Sequence, residues 1–328
     1  MNILIEGFNK SIHKKDNQIV IKQKDTILDS IKANQIVIIG KGYITFDALT
    51  LIAKNNIKLI SFDYTGKLNY LMESPDWRNV KIKKRQYLLS ENKKGINIFR
   101  EIIKSKMINQ KATLTTFNKR RKIREIDEIK NNISMQINEL NSIKLTNNHE
   151  KVKMQIMGCE GKASAYYWSG IKLLIPKEIG FEKRTKKPTD LLNSMLNYGY
   201  AILASEITKS ILINGLDPYC GFLHFDMDKR TSLTYDLIED FRQQIVDKTV
   251  LNLINRRQVT NDDLDKRNKS IKLEKRKLII SKIQDKIHST IKYDSEELTY
   301  GEIINKQTSN LVNTILNDGK FEGFNLHW

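Results

Sequence analysis

The stretch Ser74-Pro75-Asp76-Trp77 separates two parts of the chain whose hydrophobic residues recur with different periods. Before it, residues 2–6, 18–22, 35–39, 57–62 and 67–72 are short runs rich in Ile, Leu, Val and Tyr. Asp16-Asn17, Gly40-Lys41-Gly42 and Tyr64-Thr65-Gly66 punctuate them, and such runs bounded by turn residues predict strands. Phe46, Leu49, Ile52 and Ala53 recur on one face and predict a helix over about 45–55. After the dividing stretch, Ser74 or Asp76 can cap a helix running through Arg85, Tyr87 and Leu88. Long amphipathic segments follow near 96–110, 113–145, 150–175, 190–213, 232–255, 269–290 and 300–318, with Pro176, Pro188 and Pro218 between them. The expectation is an α+β chain: a small N-terminal β-sheet domain over 1–76, then a larger all-α C-terminal domain over 77–328.

Composition narrows the class. Of 328 residues, 40% are hydrophobic and 29% charged, a globular balance. No run of about 18 apolar residues offers a membrane span, and the first residues lack the charged-then-apolar pattern of a signal peptide. Cys159 and Cys220 form no CxxC pair and no disulfide framework. These features predict a cytoplasmic protein. Lys and Arg outnumber Asp and Glu by 56 to 38, a net charge of +18, which suggests a polyanionic partner. Coding bias toward Lys, Asn and Ile would spread that surplus evenly. Instead residues 81–150 carry net +10, against +3, +2 and +3 for 1–80, 151–250 and 251–328. The surplus reads as a nucleic-acid surface.

Three features of the helical part carry chemistry. Met157-Gly158-Cys159-Glu160-Gly161-Lys162-Ala163-Ser164-Ala165-Tyr166-Tyr167-Trp168 sets a carboxylate among small residues, with Tyr167 two turns along the same face. The flanking glycines would let a ligand approach Glu160 closely. Asp217-Pro218-Tyr219-Cys220-Gly221-Phe222-Leu223-His224 is a turn and apolar run ending in an imidazole. The run from Thr231 to Arg242 places Asp236 and Glu239 three apart on one helical face, beside the apolar stripe of Leu233, Leu237, Ile238 and Phe241. Paired acids there are costly unless a cation joins them. Two or three carboxylates and one imidazole, with no thiolate motif, suit Mg²⁺ or Mn²⁺ better than structural zinc. A hard divalent ion in a basic protein points to phosphodiester chemistry.

At these residues a family resemblance emerges. Glu160 in C-E-G-x-A-x-x-x-Y, then Arg184, Pro188, Asp190 and Asn193, then D-P-x-x-G-F-L-H ending at His224, then S-L-x-x-D-L-x-E-x-F-R from Ser232 to Arg242, occur in one order. The series resembles the CRISPR-associated endonuclease that integrates new spacers, the first-numbered Cas protein. Ile36-Val37-Ile38-Ile39-Gly40 and the segments up to Asp63 are similar to that family's β-domain, and Arg85-Gln86-Tyr87 and Lys106-Met107-x-Asn109-Gln110 to its first long helices.

The resemblance implies a metal site made by Glu160, His224 and Glu239, with glutamate where many relatives have aspartate, and supporting roles for Asp236 and Tyr167. It implies homodimers joined through the β-domains, a partner in the small second-numbered Cas protein, and double-stranded DNA as substrate. A prespacer 3′-hydroxyl would attack a phosphodiester in the CRISPR repeat. His224 would serve as ligand or as general acid. Arg120, Arg121, Lys122, Arg124, Arg184, Lys186, Lys187, Arg256 and Arg257 are the expected phosphate contacts. A non-catalytic DNA-binding scaffold and a stand-alone metal-dependent nuclease are the alternatives.

Overall fold

A computed structural model describes residues 2–23, 26–31, 35–62, 68–72, 79–188, 190–222, 231–265, 270–317 and 319–325. The chain divides into two compact units, 1–80 and 81–328.

The first unit is a six-stranded sheet in the order β3-β2-β1-β4-β5-β6. Its strands are β1 (Asn2–Lys15), β2 (Gln18–Gln23), β3 (Thr26–Ile31), β4 (Gln35–Ile44), β5 (Lys58–Phe62) and β6 (Leu68–Met72). Asp16 and Asn17, both at positive φ, make the two-residue turn between β1 and β2. β1 and β5 both run parallel to β4. Joining parallel neighbours needs a crossover, and α1 (Phe46–Lys54) supplies it between β4 and β5. Thr45 caps α1 by accepting the Ala48 N–H at 3.3 Å. The helix buries Ala48, Leu51 and Ile52 against Ile5, Ile12, Ile36 and Leu59. β3 was not among the expected strands.

The second unit is helical: α2 (Val80–Ser90), α3 (Lys93–Asn118), α4 (Arg124–Ser142), α5 (His149–Leu173), α6 (Leu191–Ile213), α7 (Ser232–Leu237), α8 (Lys248–Asn255), α9 (Leu273–His288) and α10 (Tyr300–Asn317). A short hairpin, β7 (Thr290–Tyr293) with β8 (Glu296–Thr299), lies between α9 and α10. Two further details differ from expectation. The expected break near 111 does not occur, because Gln110-Lys111-Ala112 contains no breaker and α3 continues to Asn118. There the Asn118 side chain accepts the Ile123 N–H at 2.8 Å and donates to the Ile123 carbonyl at 3.0 Å, closing the turn that carries Lys119–Lys122. The segment expected as one helix over 232–255 is instead α7, a 3₁₀ turn at Ile238–Asp240, a π-helical turn at Arg242–Asp247, and α8.

α3, α5 and α6 run through the core of this unit. Phe99, Ile102 and Met107 of α3, Ile156, Ala163 and Tyr167 of α5, and Met195, Leu203 and Ile207 of α6 are all essentially inaccessible. Among the described residues no helix is long and apolar enough to cross a membrane.

Candidate active site

α3 also buries a polar stripe. Lys106, Asn109, Gln110 and Thr113 are buried at spacings of three and four, so they share one face of an otherwise apolar helix. That face meets α5 and the turn after α7. The Lys106 Nζ lies 2.5 Å from Glu160 Oε1 and 2.8 Å from Glu239 Oε2. The three side chains are 11%, 25% and 12% exposed, so this is an enclosed charge cluster and not a surface ion pair.

Both carboxylates are further fixed. Ser164, one turn beyond Glu160, donates its hydroxyl to Glu160 Oε1 at 2.8 Å, and Gln110 donates to the Ser164 oxygen at 3.1 Å. Arg242 Nη2 stands 3.0 Å from Glu239 Oε1. Burial works against the charge on Lys106 and on Arg242, and the adjacent carboxylates outweigh it, holding both cations above their ordinary range. Beside Glu160 the space around Gly158 and Gly161 is open: a Cβ on either would meet no protein atom within 4 Å. Glu160 owes its setting to Lys106 and Ser164.

Asp236, expected in a supporting role, holds backbone. It is buried, and its Oδ2 accepts the Phe222 N–H at 2.6 Å. A Cβ on Gly221 would come within 2.7 Å of the same oxygen, so only glycine lets the chain pass. From the other side Gln86 of α2 donates to the carbonyls of Asp217 and Cys220, both at 2.8 Å, and accepts the Asp217 N–H at 2.9 Å. Asp236 and Gln86 thus anchor the chain leading toward His224, which itself falls outside the described residues.

Tyr167 is fully buried and donates to Asp247 Oδ2 at 2.7 Å, while Tyr200 donates to Asp247 Oδ1 at 2.6 Å. Burial raises the Asp247 carboxyl to about 6 against the pull of these two phenols. Arg242 lies over the Tyr200 ring at 4.8 Å, so the π-helical turn carries the contact from Glu239 into this buried triad.

The basic candidates separate into two groups. Arg184 is committed internally: it donates to Asn193 Oδ1 at 2.9 Å and Asn197 Oδ1 at 2.7 Å and lies 5.4 Å from the Tyr200 ring centroid. Those contacts make it a brace for the loop before α6. Lys186 and Lys187 are exposed on that loop. Arg120, Arg121, Lys122 and Arg124 are exposed on the α3–α4 turn, and Arg256 and Arg257 are exposed after α8. Arg121 Nη2 donates to Asn255 Oδ1 at 3.1 Å, which joins these two basic runs.

Sequence reasoning assigned no site role to Lys106, Ser164, Arg242 or Asp240, although the first three stand within its motifs. Asp240 is wholly buried next to Glu239, and burial pushes its carboxyl well above the usual range. The backbone around it is held by Asn109, whose amide donates to the Asp240 carbonyl at 3.0 Å and to the Phe324 carbonyl at 2.8 Å. The signal for Lys106 was the polar stripe at helical spacing within an apolar segment.

Glu160 and Glu239 fit a hard divalent ion. They are oxygen donors on separate elements already gathered around one positive charge. Among the described residues no cluster of three or more acidic, histidine or cysteine side chains joins them.

Comparison with known proteins gives the site its context. A family model described as CRISPR associated protein Cas1 matches residues 3–285. A Methanobrevibacter ruminantium protein named CRISPR-associated protein Cas1 3 is 54% identical over 334 residues, covering 100% of both chains. An Archaeoglobus fulgidus protein named CRISPR-associated endonuclease Cas1 1 is 35% identical over 346 residues, again covering 100% of both. A solved casposase bound to integration product matches with a TM-score of 0.75 at 25% identity, covering 98% of this chain and 97% of that one. A chain of a partial Cas6-RT-Cas1–Cas2 complex shares the fold, with a TM-score of 0.77 at 20% identity over 100% of this chain and 99% of that one. With sequence similarity along its whole length and the matching fold, the chain belongs to the Cas1 family of CRISPR-associated proteins.

Proposed function

We propose that this protein acts in CRISPR adaptation as a metal-dependent DNA endonuclease and integrase, joining prespacer 3′-hydroxyl ends to the CRISPR repeat. The observation that carries the chemistry is the convergence of Glu160 and Glu239, from α5 and the turn after α7, on one cation position. When bound, Mg²⁺ or Mn²⁺ supplies positive charge at the scissile phosphate. Glu160 and Glu239 are the residues that would hold it. Ser164 fixes the Glu160 carboxylate and Arg242 the Glu239 carboxylate. His224 completes the set as third ligand, or gives a proton to the departing 3′-oxygen.

The 3′-hydroxyl of the incoming strand attacks phosphorus, the bond to the repeat's 3′-oxygen breaks, and one phosphodiester replaces another. The attacking group belongs to DNA, so the chain needs no activated nucleophile of its own. Ser164 and Tyr167 accordingly spend their hydroxyl protons on Glu160 and Asp247. The partners on this reading are double-stranded DNA, a second copy of the chain through the β-domain, and the small second-numbered Cas protein, in the cytoplasm. Support comes from the relatives named endonuclease and from the neighbours described with an integration product and in a Cas1–Cas2 complex.

The test is joining of a 3′-overhang duplex to a plasmid carrying repeats, with Mg²⁺ or Mn²⁺ and the partner protein present. Glu160→Gln and His224→Ala should each lose at least about a hundredfold in rate and keep duplex binding. Full activity in both variants overturns the site assignment. A wild-type protein that binds DNA yet neither joins nor cleaves it would be a scaffold; one that cleaves without joining would be a stand-alone nuclease.

A further inference from the structure

We infer that Lys106 is a displaceable internal cation, which holds Glu160 and Glu239 together until a divalent metal ion takes those carboxylates and then withdraws its ammonium from between them. This rests on the reading above that the two carboxylates bind a metal ion.

The geometry places one nitrogen where one ion would sit. Nζ contacts an oxygen of each glutamate, at 2.5 and 2.8 Å, from a side chain that is itself 11% exposed. A divalent ion bonded to the same oxygens must come closer still, at roughly 2.0–2.2 Å for Mg²⁺ or Mn²⁺. Ammonium and ion cannot share that space.

The charge count leads to the same result. Among the described residues, Glu160 and Glu239 carry two negative charges and the two basic side chains in contact with them, Lys106 and Arg242, carry two positive ones, so these four balance one another. Adding a divalent ion while both basic side chains stay leaves two excess positive charges in a poorly solvated place. Arg242 is held by Glu239 on its far oxygen and by the Tyr200 ring, and is the less free of the two. Lys106 has a flexible four-carbon stem and, among the described residues, two carboxylate contacts to give up. The backbone beneath it stays fixed, since Ser105 donates to the Phe324 carbonyl at 2.5 Å and Asn109 donates to the Asp240 and Phe324 carbonyls. The side chain can therefore swing while α3 remains in place. Without metal, Lys106 spares two half-buried glutamates from facing each other, and its removal cost sets a threshold on the ion concentration at which the site loads.

The experiment measures Mn²⁺ binding by titration calorimetry on the full-length protein without DNA, for wild type, Lys106→Met and Lys106→Arg. Methionine keeps the length and removes the charge. The expected result is at least tenfold tighter Mn²⁺ binding by Lys106→Met, with Lys106→Arg near wild type. The metal-free melting temperature of Lys106→Met should fall and its gain on Mn²⁺ saturation should exceed that of wild type. Equal or weaker binding by Lys106→Met overturns the proposal and leaves the metal-site reading standing. No Mn²⁺ binding by either protein overturns both. Should Lys106→Met not fold, amine-selective acetylation of wild type followed by mass spectrometry decides. Lys106 is expected to be protected without metal and modified at saturating Mn²⁺; unchanged protection overturns displacement.

Discussion

Phe324 lies stacked on Phe241, with 4.9 Å between ring centroids and 16° between ring planes. Phe241 immediately follows the Glu239-Asp240 turn, and Tyr293 and Tyr300 close around the Phe324 ring at 5.4 and 6.2 Å. Phe324, in the segment after α10, thus packs within the helical unit. Phe324→Ala should lower stability by about 3–5 kcal/mol, the usual cost of emptying a buried phenyl site. Urea denaturation followed by circular dichroism measures it. Loss below 1 kcal/mol would show that the ring is not part of the core.

Burial sets the pH response of Asp247, and the Tyr200 and Tyr167 phenols moderate it. Its carboxyl is raised from 3.8 to about 6 in the folded protein, so the native state holds more protons than the unfolded one between those values. Stability from this group is therefore greatest at low pH and declines as pH rises from about 4 to about 6. In Tyr200→Phe one hydrogen bond to the carboxylate is gone, and the decline should extend above pH 6. Urea midpoints from pH 4 to 8 for both proteins test this. Identical profiles would remove Tyr200 from the account.

Gly221 and Asp236 should respond as a pair. Gly221→Ala drives a methyl group to within 2.7 Å of Asp236 Oδ2 and 2.9 Å of Ser232 Cβ, and overpacking of this kind costs about 1–3 kcal/mol. Asp236→Ala strands the buried Phe222 N–H at a similar cost. Both variants should slow DNA joining while leaving duplex affinity within about twofold, because they disturb the approach to His224 and not the basic surface. A uniform loss of binding would contradict that separation.

The α3–α4 turn is where electrostatic substitutions should act. Reversing Lys119, Arg120, Arg121 and Lys122 to glutamate should weaken binding to all duplexes alike and flatten the dependence of log affinity on log salt. Filter binding at several salt concentrations measures both. Loss confined to one sequence would assign these side chains to base recognition.

The two-part architecture was legible because β and helical periods differ sharply on either side of residue 76. The strand β3 was not: Thr26–Ile31 carries Asp29 and Ser30, and its pairing to β2 is a tertiary fact. Glu160 and Glu239 stood out as acids in apolar, small-residue settings, which pattern alone exposes. Lys106 did not, because it lies in the segment whose +10 charge was read as surface. A net charge has no inside or outside, and one member of that surplus is buried against two glutamates. Arg184 is ambiguous in sequence, since a guanidinium serves a phosphate or a pair of asparagines equally well. The enclosing role of Phe324 required contacts across more than 200 residues, such as that from Ser105, which no local period encodes.

The π-helical turn at Arg242–Asp247 is one residue wider than α-helical winding would make it. That single residue sets the rotational phase between two groups on the same stretch of chain, Arg242 facing Glu239 and Asp247 facing the two tyrosines. Deleting one residue there would rewind the turn to α-helical spacing, which completes a turn with one residue fewer, so α8 would keep nearly the same face toward the core. The cost would fall inside the turn, on the aim of Arg242 at Glu239 and of Asp247 at its two phenols. The extra residue is therefore a local device for pointing those two side chains, to which the helix beyond it is nearly indifferent.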